Sequence, residues 1–122
     1  MRIVIADSDS RRRASIASSF PKEIETKQCA HPRAVRRILE EGESAALVIG
    51  ALRGGKAEAL AAIHLAREAH PGIPIFYLAD TIPGRLSAKE DRSNTAYLSP
   101  VLSEHQIAEA VLEALTPKKA QS

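Results

Sequence analysis

Cysteine and aromatic residues are scarce in this sequence of 122 residues, and tryptophan is absent. Because Cys29 is the only cysteine, no disulfide can form within the chain, and a reducing compartment is the environment that fits. Aromatic residues make up 3% of the chain, whereas hydrophobic residues make up 44%. The core must therefore be built from Ile, Leu, Val and Ala, and the hydrophobic content is too high for wholesale disorder.

Long apolar runs and a dominant sign of charge are missing as well. No stretch approaches the roughly 20 apolar residues that span a bilayer, and the N-terminal apolar run is too short for a signal peptide. With 17 basic and 15 acidic residues the net charge is +2, which does not argue for nucleic-acid binding. We expect a cytoplasmic domain over residues 1–116 that contacts no membrane, and a polar tail or the start of a linker over residues 117–122.

Short apolar runs without polar alternation recur along the chain, and such runs are typical of buried parallel strands. They lie at Ile3–Ala6, Ala45–Ile49 and Ile73–Ala79. Two further segments predict edge strands, because Glu23–Cys29 alternates in polarity and Thr95–Leu98 is short and mixed. The sequence therefore predicts five strands, of which three are central.

Helical patterns separate these predicted strands. They lie at Arg11–Phe20, Pro32–Glu41, Lys56–Ala69 and Ser103–Leu115. The last is the clearest, because Ser103 and Gln106 have the spacing of a capping box. The segment Gly84–Asn94 is the weakest, because Leu86 is its only large apolar residue, and we expect it to be the least ordered part of the structure that flanks the sheet.

The regular alternation of strands and helices predicts a doubly wound α/β fold. With right-handed crossovers, three central strands and two edge strands, the natural arrangement is a flavodoxin-like (βα)5 parallel sheet in the strand order 2-1-3-4-5. This fold hosts many functions, so it does not by itself identify one.

Three short stretches have residue patterns typical of a known protein family. They are IVIADSD at the first predicted strand, PGIPIFYLAD at the fourth and AYLSP at the fifth. In element order, length and these stretches, residues 1–115 resemble a receiver domain of bacterial two-component response regulators. The resemblance implies a pocket at the strand ends. There an aspartate after the third strand accepts a phosphoryl group, two acids hold Mg²⁺, and a hydroxyl residue and a lysine contact the phosphate.

Carried over onto this chain, the receiver pocket is degenerate. The matching positions are Asp7, Ser8, Ala51, Ala79 and Ser99. Only Asp7 keeps the expected residue type, and Ala51 stands in the place of the phospho-accepting aspartate. No acidic residue lies between positions 44 and 56, so the acceptor is absent in any nearby register. The resemblance therefore implies a pseudo-receiver that is not phosphorylated, is not an enzyme and needs no cofactor.

Other candidate metal and catalytic groups are weak. Asp7 and Asp9 could form a residual metal site, but we favour the interpretation that Ser8 or Asp9 caps the first helix. The histidines lie on different predicted elements without the spacing of metal ligands, so none is assigned a catalytic role. They are His31, His64, His70 and His105. We interpret Cys29 as a half-buried structural thiol.

The favoured function is a signalling module that binds a protein partner or a second copy of itself. In receiver domains, the face made by the fourth helix, fifth strand and last helix mediates such contacts, and the fourth helix matches the weak segment Gly84–Asn94 here. The resemblance also allows a fused output domain in a longer chain. The matching residues here are Leu86, Tyr97, Glu104 and Glu109. Whether Tyr97 is an exposed contact residue or a fixed part of the core edge is left open.

The alternative function is a sensor of a small anionic ligand at the carboxyl ends of the strands, where this fold binds ligands. Its candidate contacts are Arg11, Arg12, Arg53 and Arg85. We favour the simpler interpretation that Arg11, Arg12 and Arg13 are solvated and pair with nearby acids. An unrelated α/β enzyme is the weakest hypothesis, because no nucleophile, base and orienting group converge.

The bond between Ser99 and Pro100 is predicted to be cis. The resemblance implies a cis bond before the matching proline, and the shortened AYLSP stretch tightens the turn that follows the fifth strand. Because a cis X–Pro bond costs only about 0.5–1 kcal/mol relative to trans, packing of this turn can decide the isomer.

Overall fold

Strands and helices alternate along the residues that the computed structural model describes, which are residues 1–79 and 94–116. In chain order they are β1 (Arg2–Ala6), α1 (Ser10–Ser18), β2 (Glu25–Cys29), α2 (Pro32–Glu41), β3 (Ala46–Ile49), α3 (Lys56–Ala69), β4 (Ile75–Leu78), β5 (Thr95–Leu98) and α4 (Glu104–Leu115). None of these four helices is long and apolar enough to cross a membrane. The predicted weak segment contributes only Asn94 to the described residues. The expected order of this segment therefore concerns residues outside the described ones. The same holds for Arg85, for Leu86 and for the expected tail at 117–122.

All the strand pairs are parallel, and the sheet has the order β2-β1-β3-β4-β5. The predicted fold class and strand order are therefore confirmed. In the register, Ala6 pairs with Cys29 on one side and with Ile49 on the other. The carboxyl ends of β1, β2 and β3 consequently finish side by side, and we call this line of strand ends the carboxyl edge.

The core consists of mainly aliphatic layers on the two faces of the sheet, and it also includes Phe20, Phe76 and Tyr77. Val4, Leu47 and Ile49 point to the face covered by α2 and α3. Ile3, Ile5 and their neighbours point to the face covered by α1 and α4. Each fully buried side chain of this size contributes about 1.5–3 kcal/mol to folding. Burial on both faces explains why the central strands lack polar alternation.

Element ends differ from the predicted ones where local turns take over the backbone. β4 begins at Ile75 and not at Ile73, because the Ile73 N–H donates to the carbonyl of His70 at 3.1 Å in the turn after α3. α1 ends at Ser18, because Ser19 and Phe20 donate to carbonyls three residues earlier, the tighter pattern common at helix ends. The predicted capping box of α4 is present.

The carboxyl end of α2 is capped by a residue distant in sequence. The Arg2 guanidinium donates from Nη2 to the carbonyls of Ile38 at 2.8 Å and Gly42 at 2.9 Å, and from Nε to Ser44 Oγ at 3.0 Å. A cation at this point also complements the negative end of the helix dipole. Arg2 therefore joins β1 to the end of α2.

The Ser99–Pro100 bond is trans, so the predicted cis isomer is wrong. Pro100 is the second residue of a turn in which the Leu102 N–H donates to the Ser99 carbonyl at 3.2 Å. The Val101 N–H also donates to Ser99 Oγ at 3.3 Å. A trans proline fits this position because its fixed φ matches the turn, so the chain reverses without a cis bond.

Candidate functional site

Asp7 lies at the centre of the carboxyl edge, immediately after β1, and it is fully buried. Its Oδ1 accepts a hydrogen bond from the Asp9 N–H at 2.8 Å, and its Oδ2 accepts one from the Ala51 N–H at 3.3 Å. Arg12 Nε lies 3.7 Å from Oδ2. These donors and this cation offset the cost of burying a carboxylate away from water.

Gly50 leaves the space that the Asp7 carboxylate occupies. The register between β1 and β3 places Gly50 directly after the Ala6–Ile49 pair. A Cβ added at Gly50 would lie 2.9 Å from Asp7 Cγ, and closer still to Oδ2. Any side chain at position 50 would therefore collide with the carboxylate unless Asp7 moved.

Ala51, matched in the sequence to the phospho-accepting aspartate, is exposed and meets the site through its backbone. Its N–H donates to Asp7, and its carbonyl accepts from the Ser8 N–H at 2.9 Å. The position whose side chain would face Asp7 is the preceding one, Gly50. Neither residue carries a carboxylate. Sequence reasoning missed Gly50, although a glycine directly after an apolar strand was a visible signal.

Ser8 and Asp9 are already engaged in local structure. Ser8 Oγ accepts from the Arg53 N–H at 2.6 Å and donates to the Ala30 carbonyl at 3.5 Å, which joins the loops after β1, β2 and β3. Asp9 is the N-cap of α1, and its Oδ1 accepts from the N–H groups of Arg11 and Arg12 at 3.0 and 3.2 Å. Of the two predicted capping residues, Asp9 is therefore the one that caps.

The donor set around Asp7 does not fit Mg²⁺. This ion takes oxygen ligands in a nearly ideal octahedron and is usually held by one or two carboxylates. Here both Asp7 oxygens accept backbone hydrogen bonds, the Ser8 hydroxyl bridges two loops, and the Arg12 guanidinium lies beside Asp7. Within residues 1–79 and 94–116, no group of three or more potential metal-binding side chains comes together.

Ala79 and Ser99, the other two positions of the predicted pocket, follow β4 and β5. The Ala79 N–H donates to the Leu98 carbonyl at 3.1 Å, and Ser99 Oγ accepts from the Val101 N–H in its own turn. In the described part of the chain, neither residue is hydrogen-bonded to Asp7 or Ser8. The structure therefore brings Asp7, Ser8 and Ala51 together and leaves Ala79 and Ser99 in separate local contacts.

The candidate anion contacts do not converge on one point. Arg12 is half-buried beside Asp7, whereas Arg11 and Arg53 are exposed. The guanidinium of Arg13 donates to the Asp7 carbonyl at 2.7 Å and to Gln28 Oε1 at 3.3 Å. The expected pairing with a nearby acid therefore applies to Arg12, and Arg85 lies outside the described residues.

β5 and α4 form the described part of the candidate interaction face. Tyr97 is 51% exposed, which decides between the two alternatives left open for it in favour of an exposed residue. Glu104 is half-buried at the start of α4, and the exposed Glu109 lies 3.5 Å from the Nε2 atom of His105. Leu86 lies outside the described residues.

Several solved receiver domains share this architecture. The receiver domain of the hybrid histidine kinase CckA superimposes with a TM-score of 0.73 at 17% identity, over 95% of this chain and 100% of that chain. A CheY-like receiver domain protein from Methanospirillum hungatei JF-1 gives 0.74 at 18% identity, over 93% and 92%. The beryllofluoride-activated NtrC4 receiver domain dimer gives 0.67 at 13% identity, over 94% and 98%. No protein-family model matches the sequence, and no curated protein matches it.

These likenesses establish the fold. The sheet order, the all-parallel pairing and the near-complete coverage of both chains identify a CheY-like receiver fold. At identities below one fifth, the likeness does not carry over activity, because one fold hosts many functions. The function of this chain therefore depends on the residues at its carboxyl edge and on its exposed faces.

Proposed function

We propose that this chain is a signalling module with the receiver fold that works without phosphorylation and acts by binding a protein partner. The observation that carries the proposal is the position of the buried Asp7 carboxylate against Gly50. A carboxylate nucleophile is needed to accept a phosphoryl group. At the end of β3, glycine and alanine offer no such group, and Asp7 fills the space beside them.

The charge balance around Asp7 supports the same proposal. A phosphoryl group in transfer carries negative charge, which metal ions and cationic side chains neutralise. In this chain Arg12 is the cation beside Asp7, and the residue before Pro100 is Ser99 and not a lysine. The buried carboxylate is thus balanced within the chain itself, without the ion that phosphoryl transfer requires.

The face formed by β5 and α4 supports the binding part of the proposal. Tyr97 is exposed on an edge strand, and tyrosine is enriched at protein interfaces. The beryllofluoride-activated NtrC4 receiver domain, which shares the fold, is a dimer. We infer that a protein partner or a second copy of this chain contacts Tyr97, Glu104, Glu109 and Leu86. In a longer chain, a fused output domain is a further candidate partner.

Incubation with acetyl phosphate and Mg²⁺ tests the independence from phosphorylation. We expect the intact mass of the chain to stay unchanged, because no carboxylate follows β3 to accept the phosphoryl group. A receiver domain that carries the acceptor aspartate, treated in parallel, controls for the activity of the donor. An added phosphoryl group that hydroxylamine removes would show an acylphosphate and contradict the proposal.

Light scattering over a wide range of protein concentration tests the β5 face. We expect the wild-type chain to self-associate and the Tyr97→Ala variant to do so less, because the substitution removes the exposed aromatic ring. Lys56→Ala, an exposed substitution at the start of α3, is the control. A wild-type chain that stays a single copy would contradict the dimer. Equal association of the Tyr97→Ala variant would contradict the assigned face.

A small anionic ligand at the carboxyl edge has less support. Arg12 Nε lies 3.7 Å from Asp7 Oδ2 and balances that carboxylate. The Arg53 N–H donates to Ser8 Oγ, and the Arg53 residue is exposed. A melting temperature that rises with added phosphate compounds, as mass action requires of a ligand of the native state, would favour this alternative.

A further inference from the structure

The first two turns of α2 carry cations that the fold leaves unbalanced. Arg33 and Arg37 are exposed and lie four residues apart, so they share one side of the helix. In the described part of the chain, neither lies within ion-pair distance of a carboxylate. Arg36 on the same helix, by contrast, pairs with Glu40 and with Glu68, both at 3.1 Å. Like charges one turn apart destabilise a helix, so this pair of arginines is not explained by the stability of α2.

These arginines border a surface pocket of about 390 Å³ that is lined by His31, Arg33, Ala34 and Arg37. We call these four residues the α2 basic surface. Ala34 packs against the core beneath and supplies an apolar floor. The aliphatic stems of the two arginines extend such a floor while their charged ends stay in water. The pocket therefore combines apolar contact area with positive charge.

A further cation, Arg13 of α1, lies near the end of β2, on the other face of the sheet from α2. In the described part of the chain, Arg13 donates to two neutral acceptors, the Asp7 carbonyl and Gln28 Oε1, and no ion pair compensates its charge there. Burial raises the pKa of the Cys29 thiol to about 11, and the nearby Arg13 and Arg37 oppose this effect. Both guanidinium groups thus lie near the end of β2. The thiol stays protonated at neutral pH and does not balance them.

From these contacts we infer that the α2 basic surface binds an acidic segment of a partner protein. The two arginines are about 6 Å apart along the helix axis, a spread that suits successive acidic side chains of a peptide better than one compact ion. The net charge of the chain is only +2, which argues against a nucleic acid as the partner, because such partners usually need a strongly basic face. The surface adjoins β2, at the opposite edge of the sheet from β5.

Titration of the ¹⁵N-labelled protein with a glutamate decapeptide at low ionic strength tests this inference. We expect amide shifts to concentrate at Arg33, Ala34 and Arg37, and the apparent affinity to fall about tenfold in Arg33→Gln/Arg37→Gln, as loss of two exposed ion pairs allows. Arg36→Gln is the matched control, because it removes a paired arginine from the same helix, and we expect its affinity to stay within about twofold of wild type.

Several results would overturn the inference. Shifts centred on Arg11 and Arg53, or an equal loss of affinity in Arg36→Gln, would show a diffuse attraction of the peptide. Inorganic phosphate or single-stranded DNA that competes at lower concentration than the peptide would identify a different ligand. We expect the melting temperature of Arg33→Gln/Arg37→Gln to be unchanged or higher, and a lower one would show that these arginines serve the fold. None of these results depends on phosphorylation or on Tyr97, so this inference and the proposed function fail separately.

Discussion

Replacing Gly50 by alanine tests how the carboxyl edge is built. The added Cβ would lie 2.9 Å from Asp7 Cγ and 3.3 Å from Asp7 Cβ. Asp7 is fully buried, and the N–H groups of Asp9 and Ala51 hold its carboxylate. The carboxylate therefore cannot move aside without weakening at least one of these hydrogen bonds.

The magnitude follows from two costs. Adding a methyl group to a well-packed site costs about 1–3 kcal/mol, and a hydrogen bond to a charged group contributes about 1.5–3 kcal/mol. We therefore expect Gly50→Ala to lower the free energy of unfolding by about 2.5–6 kcal/mol, a large share of the ~5–15 kcal/mol typical of a domain. Gly72→Ala is the control, because an added Cβ there has no atom within 4 Å.

Urea denaturation followed by far-ultraviolet circular dichroism measures these changes, since the chain has no tryptophan. In the Asp7→Ala background, where the carboxylate is gone, Gly50→Ala should cost at least about 1 kcal/mol less than in the wild type. Equal costs in the two backgrounds, or a Gly50→Ala variant as stable as Gly72→Ala, would refute the close packing of Asp7 against Gly50.

Two further substitutions test the fold. Arg2→Met keeps the aliphatic stem but removes the cap of α2, so we expect a loss of about 1–3 kcal/mol in urea denaturation. The exposed Arg33→Met should stay within about 0.5 kcal/mol of wild type, and equal losses would contradict the capping role. Burial raises the pKa of the Cys29 thiol from 9.0 to about 11. The stability conferred by the protonated thiol is therefore intact below pH 9 and declines as the pH rises through 11, by roughly 2–3 kcal/mol. Cys29→Ala should lack this decline. If the free energy of unfolding of the two proteins changed with pH in parallel, the raised pKa of the thiol would be contradicted.

Much of the secondary structure was determined by local sequence. The bounds of α2, α3 and β5 match the predicted ones, and the Ser103–Gln106 capping box is present. Helix caps, apolar periodicity and strand runs act over a few residues, so a single sequence contains them. The strand order also followed from the sequence, because right-handed crossovers leave few arrangements for three apolar and two mixed strands.

Contacts between distant residues were decided only by the tertiary structure. Arg2 caps α2 through carbonyls that lie 36 and 40 residues away in the sequence, and no local pattern marks such a partner. Asp7 meets Gly50, not the side chain of Ala51, because the register of β1 against β3 selects which residue faces it. A one-residue change of position reverses the direction of a side chain in a strand. The sequence alone therefore determined that no carboxylate follows β3, and only the sheet register decided that Asp7 fills the space left by Gly50.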